Sequence, residues 1–244
     1  MKLPFLKKIR KSSRPRCTAL VAAAGNSSRM GGINKLLQPL NGIPVLVRTL
    51  TALQLSERVD EIVIATREED IMEISHLCHT YGISKCSKVI RGGESRVHSV
   101  LLAALEASPD AELLAVHDGA RPLVTPQLIN AVIAAAARCG AAAPAVPVKD
   151  TIKETDSNGA VEQTLRREVL RAVQTPQVFQ GDILKAALQT AIEQKLPVTD
   201  DCSAAEALGK KVYLIDGDEE NLKITTPIDI LFAEAILHAR EERT

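Results

Sequence analysis

The sequence predicts a doubly wound, mostly parallel α/β sheet from which a β-arm projects. Three observations predict it. The strand-like segments are short, continuous aliphatic runs rather than alternating ones, as expected where both faces of a sheet are covered. Amphipathic helical patterns separate those runs. After Lys149 the alternation gives way to a polar, β-branched stretch around a tight turn.

Element by element, "TALVAAA" (18–24) reads as the first strand and "EIVIAT" (61–66) as the second. "SKVI" (87–90), "ELLAVH" (112–117) and "AAAPAVPV" (141–148) follow as strands. The helical patterns cover 44–55, 68–81, 95–107 and 125–139, with Pro44 near the first turn of one and Pro126 at the first position of another. "KDTIKETDSNGAVEQTL" (149–165) reads as a hairpin with Ser-Asn-Gly at its turn. "VQTPQVF" (173–179) returns to the sheet. Helices at about 182–195 and 201–208, the strand "KVYLID" (211–216) and a helix after Pro227 complete the chain. No internal repeat or low-complexity segment interrupts it. The expected organisation is a basic, poorly ordered leader over 1–15 and one domain over 16–244.

Composition narrows the function. The 244 residues are 45% hydrophobic with no Trp and only two Tyr and three Phe, so the core is aliphatic. Formal charge is zero, but residues 1–16 carry seven basic side chains and no acid. The remainder holds 23 Lys and Arg against 30 Asp and Glu, a net of −7. An acidic body with few aromatics argues against nucleic-acid binding. No run reaches the ~18 apolar residues of a membrane span, and the basic start lacks the apolar segment of a secretory signal. Five scattered cysteines (17, 78, 86, 139, 202), with no Cys-x-x-Cys, fit reduced thiols in a cytoplasmic protein. His76, Cys78 and His79 fall on different helical faces, so no metal site is expected there.

In a doubly wound sheet, ligands sit outside the carboxyl ends of the strands. Three polar stretches follow strands at that edge: 25–35, 91–96 and 118–122. The first lies within "VAAAGNSSRMGGINKLL", where small residues let backbone N–H groups approach an anion and Arg29 and Lys35 add charge. It matches neither a P-loop nor Gly-x-Gly-x-x-Gly, and the alternative is a surface turn with two solvated cations. In "VHDGARP" (116–122), Asp118 directly follows a strand, where a carboxylate can hold a metal ion or its waters. Arg121 either neutralises Asp118 or binds an anionic substrate. "IRGGESRVHSV" (90–100) places Gly92-Gly93 at a helix entrance, as a cap or as a pocket for a base or sugar. Lys223 stands just before the Thr-Thr-Pro start of the last helix.

Together, "AAGNSSRM…K", "GGESRVHSV", "HDGARP", "KDTIK", "TPQVF", "TDDCSAAEALG" and "ENLKITTPID" resemble the 2-C-methyl-D-erythritol 4-phosphate cytidylyltransferases, in the same order, from about Arg16 to the C-terminal helix. The resemblance implies a Rossmann-like nucleotidyltransferase fold and transfer of CMP from CTP to a polyol phosphate, with pyrophosphate released. It implies that Arg29 and Lys35 contact the triphosphate, and that Ala23, Ala24 and Gly25, with Gly93 and Ser99, hold cytosine and ribose. Asp118 would face Mg²⁺. Arg167 and Lys223 would position the methylerythritol phosphate, and Thr151, Arg121 and Thr175 would complete that subsite. The arm at 149–165 would interlock two subunits into a homodimer, Arg167 reaching in from the partner.

The loop departs from the commonest family form: Ser27 stands where a second glycine is frequent, Arg29 to Lys35 is one residue shorter than in many members, and Leu36 replaces a frequent Gln. Altered loop geometry is the expected consequence. Ribitol-5-phosphate cytidylyltransferases share most of these motifs. Molybdenum-cofactor nucleotidyltransferases share only "SSRMGG…NKLL", and a non-catalytic nucleotide-binding protein would not need so many cations.

Overall fold

The computed structural model describes residues 14–25 and 34–243. β1 (Cys17–Ala23) is followed by a two-residue pair, β2 (Pro39–Leu40) and β3 (Ile43–Pro44), and then by α1 (Val45–Leu55). β4 (Glu61–Thr66), α2 (Ile71–Thr80), β5 (Cys86–Arg91), α3 (Arg96–Glu106), β6 (Leu113–Asp118), α4 (Pro126–Cys139) and β7 (Ala141–Pro147) continue the alternation. A hairpin of β8 (Lys153–Thr155) and β9 (Val161–Thr164) precedes β10 (Arg171–Val173) and β11 (Gln177–Gln180). α5 (Gly181–Glu193), α6 (Asp201–Ala207), β12 (Tyr213–Asp216) and α7 (Pro227–Glu242) end the chain. The runs read as strands and the helical patterns between them fall where the sequence places them. The 68–81 pattern splits into a 3-10 turn at Glu68–Asp70 and α2.

The main sheet runs β10-β7-β11-β6-β1-β4-β5, with β12 also on β7. β1 pairs in parallel with β4 and β6, β4 with β5, and β12 with β7. β11 inserts antiparallel between β6 and β7, and β10 is antiparallel to β7, so the sheet is mixed. Both faces are covered. Cys17, Ala19, Val21 and Ala23 of β1 join a core with α1, α2, α4 and α7, whereas Leu20 joins a second core with α3, α5 and α6. That division explains the continuous aliphatic runs, since alternate side chains of one strand serve opposite cores. β8 and β9 form a separate two-stranded sheet in which every residue is exposed. Its turn contains Gly159 at φ +84, a left-handed conformation that glycine adopts without steric cost.

Candidate active site

The carboxyl ends of β1 and β6 meet at one pocket, lined by Ala22, Ala23, Ala24, Gly25, Lys35, Leu36, Arg96, Ser99, Asp118, Ala120 and Lys223. Its volume of about 170 Å³ is below that of a complete small-ligand site, so these residues account for only part of a nucleotide's surroundings. Register puts the strand ends side by side: Ala22 is opposite Asp118, and the Gly119 N–H donates to the Ala22 carbonyl at 3.0 Å. Lys35 sits on a turn fixed by Asn34. The Asn34 carboxamide donates to Asp70 at 3.1 Å and accepts from the Leu36 N–H at 3.1 Å, while Leu46 N–H donates to the Leu36 carbonyl.

α3 enters through its Ser95 cap, whose hydroxyl accepts the His98 N–H. One turn on, the Ser99 hydroxyl donates to the Ser95 carbonyl at 2.8 Å and accepts from the Gly93 N–H at 3.0 Å. Ser99 thereby clamps the Gly92-Gly93 entrance against the pocket. A Cβ at Gly92 would lie 2.7 Å from Ala24 Cβ and 2.8 Å from Ser99 Oγ, so glycine is required for this close approach.

Asp118 is the electrostatic centre. Its Oδ2 lies 2.9 Å from Lys223 Nζ and 3.3 Å from Arg121 Nε, and its Oδ1 is 3.6 Å from Arg96 Nη2. Burial alone would raise its pKa, but Lys223, Arg96 and Arg121 outweigh burial and hold the carboxyl far below the usual range. Arg121 is buried too, and its Nη1 donates to the Asn221 carbonyl at 2.7 Å. The Asn221 carboxamide donates to the Thr175 carbonyl, and Ile224 N–H to the Ala120 carbonyl. These bonds fix the segment that carries Lys223. Of the described residues that line the pocket, Lys35, Arg96 and Lys223 are cationic and Asp118 is the one carboxylate, an arrangement suited to a polyanion.

Among the described residues no group of three or more His, Cys, Asp or Glu forms a metal cage. Asp118 suits a different kind of site. Among the described residues its Oδ1 has only the long contact to Arg96, and one carboxylate combined with phosphate oxygens and water is the usual Mg²⁺ environment.

Of the residues singled out in the sequence, Ala23, Ala24, Gly25, Lys35, Ser99, Asp118 and Lys223 converge on the pocket, and Gly93 is tied to it through Ser99. Arg121 and Thr175 stand behind Asp118. Thr175 is buried; its hydroxyl lies 2.9 Å from His117 Nδ1 and accepts the Asp118 N–H at 3.1 Å. Arg167 is exposed on a 3-10 turn and donates to the Lys149 carbonyl at 2.7 Å; Thr151 is also exposed. Neither lines the pocket of its own chain. Arg29, Ser27 and the shortened loop lie outside the described residues.

Sequence reading missed Arg96, Asp201 and His117. Arg96 Nη2 lies 2.8 Å from Asp201 Oδ2. Asp201 is wholly buried, and burial, opposed by Arg96, raises its carboxyl pKa. Burial likewise depresses the His117 imidazole to about 3, so it is neutral at ordinary pH. The signal for Arg96 and Asp201 was present, since both fall within motifs quoted for the resemblance. Nothing in the sequence marked them as partners. All five cysteines are free thiols, and no helix among the described residues is long and apolar enough to cross a membrane.

Comparison with known proteins identifies the family and the fold. The family model for 2-C-methyl-D-erythritol 4-phosphate cytidylyltransferase matches residues 17–239. A protein of that name from Pelotomaculum thermopropionicum is 45% identical over 228 residues, covering 92% of this chain and 95% of the relative. One from Bacillus cytotoxicus is 43% identical, covering 91% and 98%. Among solved structures, the 4-diphosphocytidyl-2C-methyl-D-erythritol synthase of Anaerococcus prevotii aligns with a TM-score of 0.82 at 29% identity, covering 92% of this chain and 96% of that one. The Thermus thermophilus 2-C-methyl-D-erythritol 4-phosphate cytidylyltransferase aligns at 0.73 and 31%, covering 91% and 98%. With its pocket at the β1–β6 edge and a family match across nearly its whole length, the chain belongs to the 2-C-methyl-D-erythritol 4-phosphate cytidylyltransferase family.

Proposed function

We propose that this protein transfers CMP from CTP to 2-C-methyl-D-erythritol 4-phosphate, giving 4-diphosphocytidyl-2-C-methyl-D-erythritol and pyrophosphate. One observation carries the reading: Lys35, Arg96 and Lys223, from three distant parts of the chain, share one pocket with Asp118 at the carboxyl edge of the sheet. The substrate phosphate oxygen attacks the α-phosphorus of CTP as the bond to the β-phosphate oxygen breaks in line. Two polyanions must approach each other, and no nucleophilic side chain is needed. Catalysis is positioning and neutralisation of charge on the non-bridging oxygens. Lys35 and Arg29 serve the triphosphate; Lys223, backed by Arg121 and Thr175, serves the polyol phosphate. The backbone of Ala23, Ala24 and Gly25, with Gly93 and Ser99, takes cytosine and ribose. A pocket built from backbone donors and acceptors rejects uracil by leaving polar groups unpaired.

Mg²⁺ fits at Asp118, directly or through water, alongside phosphate oxygens, where it would neutralise part of their charge. The active form in this reading is a cytoplasmic homodimer. An exposed two-stranded hairpin is marginal by itself, and Val161, Val169 and Val173 in and beside it are exposed apolar side chains that a partner would cover. Thr151 and Arg167 then act on the partner's pocket.

The test is pyrophosphate release from CTP with methylerythritol phosphate against ribitol 5-phosphate, with and without Mg²⁺. Preference for ribitol phosphate, or nucleotide binding with no pyrophosphate release, overturns the assignment.

A further inference from the structure

Arg96 opens α3 and lines the pocket, yet its charge is divided between two carboxylates. Nη2 is 2.8 Å from Asp201 Oδ2 and 3.6 Å from Asp118 Oδ1. Asp201 belongs to α6, whose first N–H groups are held by a different anchor: Gln177 Oε1 accepts from both the Asp201 and Cys202 N–H, and the Gln177 carboxamide donates to Asp200. Asp201 is therefore fixed in place. The pair is nevertheless incomplete, because Arg96 Nη1 and Asp201 Oδ1 are both buried with no hydrogen-bond partner among the described residues. A closed guanidinium–carboxylate fork would use both. Arg96 is pulled two ways instead.

The consequence falls on Lys223. Asp118 has three cations around it, and Lys223 makes the shortest contact. Lys223 is also the most exposed of the three, with 38% of its side chain open to solvent. Any phosphate that recruits Lys223 must draw it from Asp118, which is easier when Arg96 supplies counter-charge on the other oxygen. We propose that Arg96 is a positioning residue: shared between Asp201 and Asp118, it sets how tightly Asp118 retains Lys223, and so how readily Lys223 turns to the phosphate of the acceptor substrate. Asp201 restrains Arg96, and its removal lets Arg96 move fully onto Asp118. This rests on the reading of Lys223 as the acceptor-phosphate residue.

Affinity for methylerythritol phosphate, and in parallel for inorganic phosphate, is measured by calorimetry without CTP. The proteins are the wild type, Arg96→Met and Asp201→Asn, each also carrying Lys223→Met. Arg96→Met weakens binding about tenfold, while Asp201→Asn tightens it about threefold, and both effects vanish in the Lys223→Met background. A merely structural pair moves both variants in the same direction, and that result overturns the proposal. So does persistence of the full effects without Lys223, which would show through-space charge acting on the ligand directly. If Arg96→Met does not fold, the Asp201→Asn arm with its Lys223→Met counterpart decides alone. Inorganic phosphate keeps the two readings separable: if the cycle holds for it but CTP and methylerythritol phosphate yield no pyrophosphate, the substrate assignment fails and the role of Arg96 stands.

Discussion

Lowering the pH should destabilise this protein through one buried imidazole. His117 is inaccessible to solvent, with Nδ1 2.9 Å from the Thr175 hydroxyl and Nε2 without a hydrogen-bond partner among the described residues. Burial moves its pKa from 6.5 to about 3. A depressed histidine pKa means that the unfolded chain binds a proton the folded chain refuses. The stability it contributes is complete above pH 6.5 and is lost as pH falls toward 3. At pH 5 the folded ring is still neutral and the unfolded one is about 1.5 units below its pKa, which is worth about 2 kcal/mol. Urea unfolding of the wild type and of His117→Gln at pH 7.5 and pH 5 isolates this contribution, because every other titrating group is common to both. The wild type should lose about 2 kcal/mol more than the variant, with unchanged m-values. Equal losses, or an imidazole that titrates by NMR near 6.5 in the folded protein, would refute the argument.

Lys223→Met should slow turnover by ~10²–10³, the scale of removing one preorganised charge donor. Because Lys223 is more than a third exposed, solvent screening limits its ion pair to at most about 1 kcal/mol of stability; melting and turnover measured together separate the two. Lys35→Ala and Arg29→Ala should each cost ~10²–10³ in turnover while the protein stays folded, and a near-normal rate in either removes that residue from the mechanism. Gly92→Ala should raise the KM for CTP about tenfold or more, because its Cβ would push Ala24 and Ser99 apart. An unchanged KM would mean that this entrance does not touch the nucleotide.

The sheet was legible because the physics behind each strand is local. "EIVIAT" and "AAAPAVPV" are continuous apolar runs, and each lies between two helical layers. The hairpin was legible from its Ser-Asn-Gly turn and polar alternation. The direction of β11 was not. "QVFQ" carries the same pattern whether parallel or antiparallel, and its antiparallel placement between β6 and β7 follows from long-range topology.

The site divides along the same line. Asp118 was readable at the end of a strand on the sheet's functional edge and Lys35 as a cation on the segment after β1, whereas Ser99, one turn into α3, came only from the family resemblance. For Arg121 the sequence left two uses open, neutralising Asp118 or binding substrate, and its ion pair with Asp118 is the first of them; Thr175 was expected only as a substrate contact, but its hydroxyl accepts the Asp118 N–H. Arg96, Asp201 and His117 are ordinary polar residues in a helix, a helix and a strand; what distinguishes each is the removal of water. A surface arginine beside an aspartate contributes little. With Asp201 wholly buried and Asp118 nearly so, the same pairing binds three segments into one electrostatic unit, since neither carboxylate can be solvated instead. Burial depends on which helices cover which strand ends, so the roles of such residues emerge only once the two cores have closed. That is why Arg96, 105 residues before its aspartate, stood inside a quoted motif without revealing what it does.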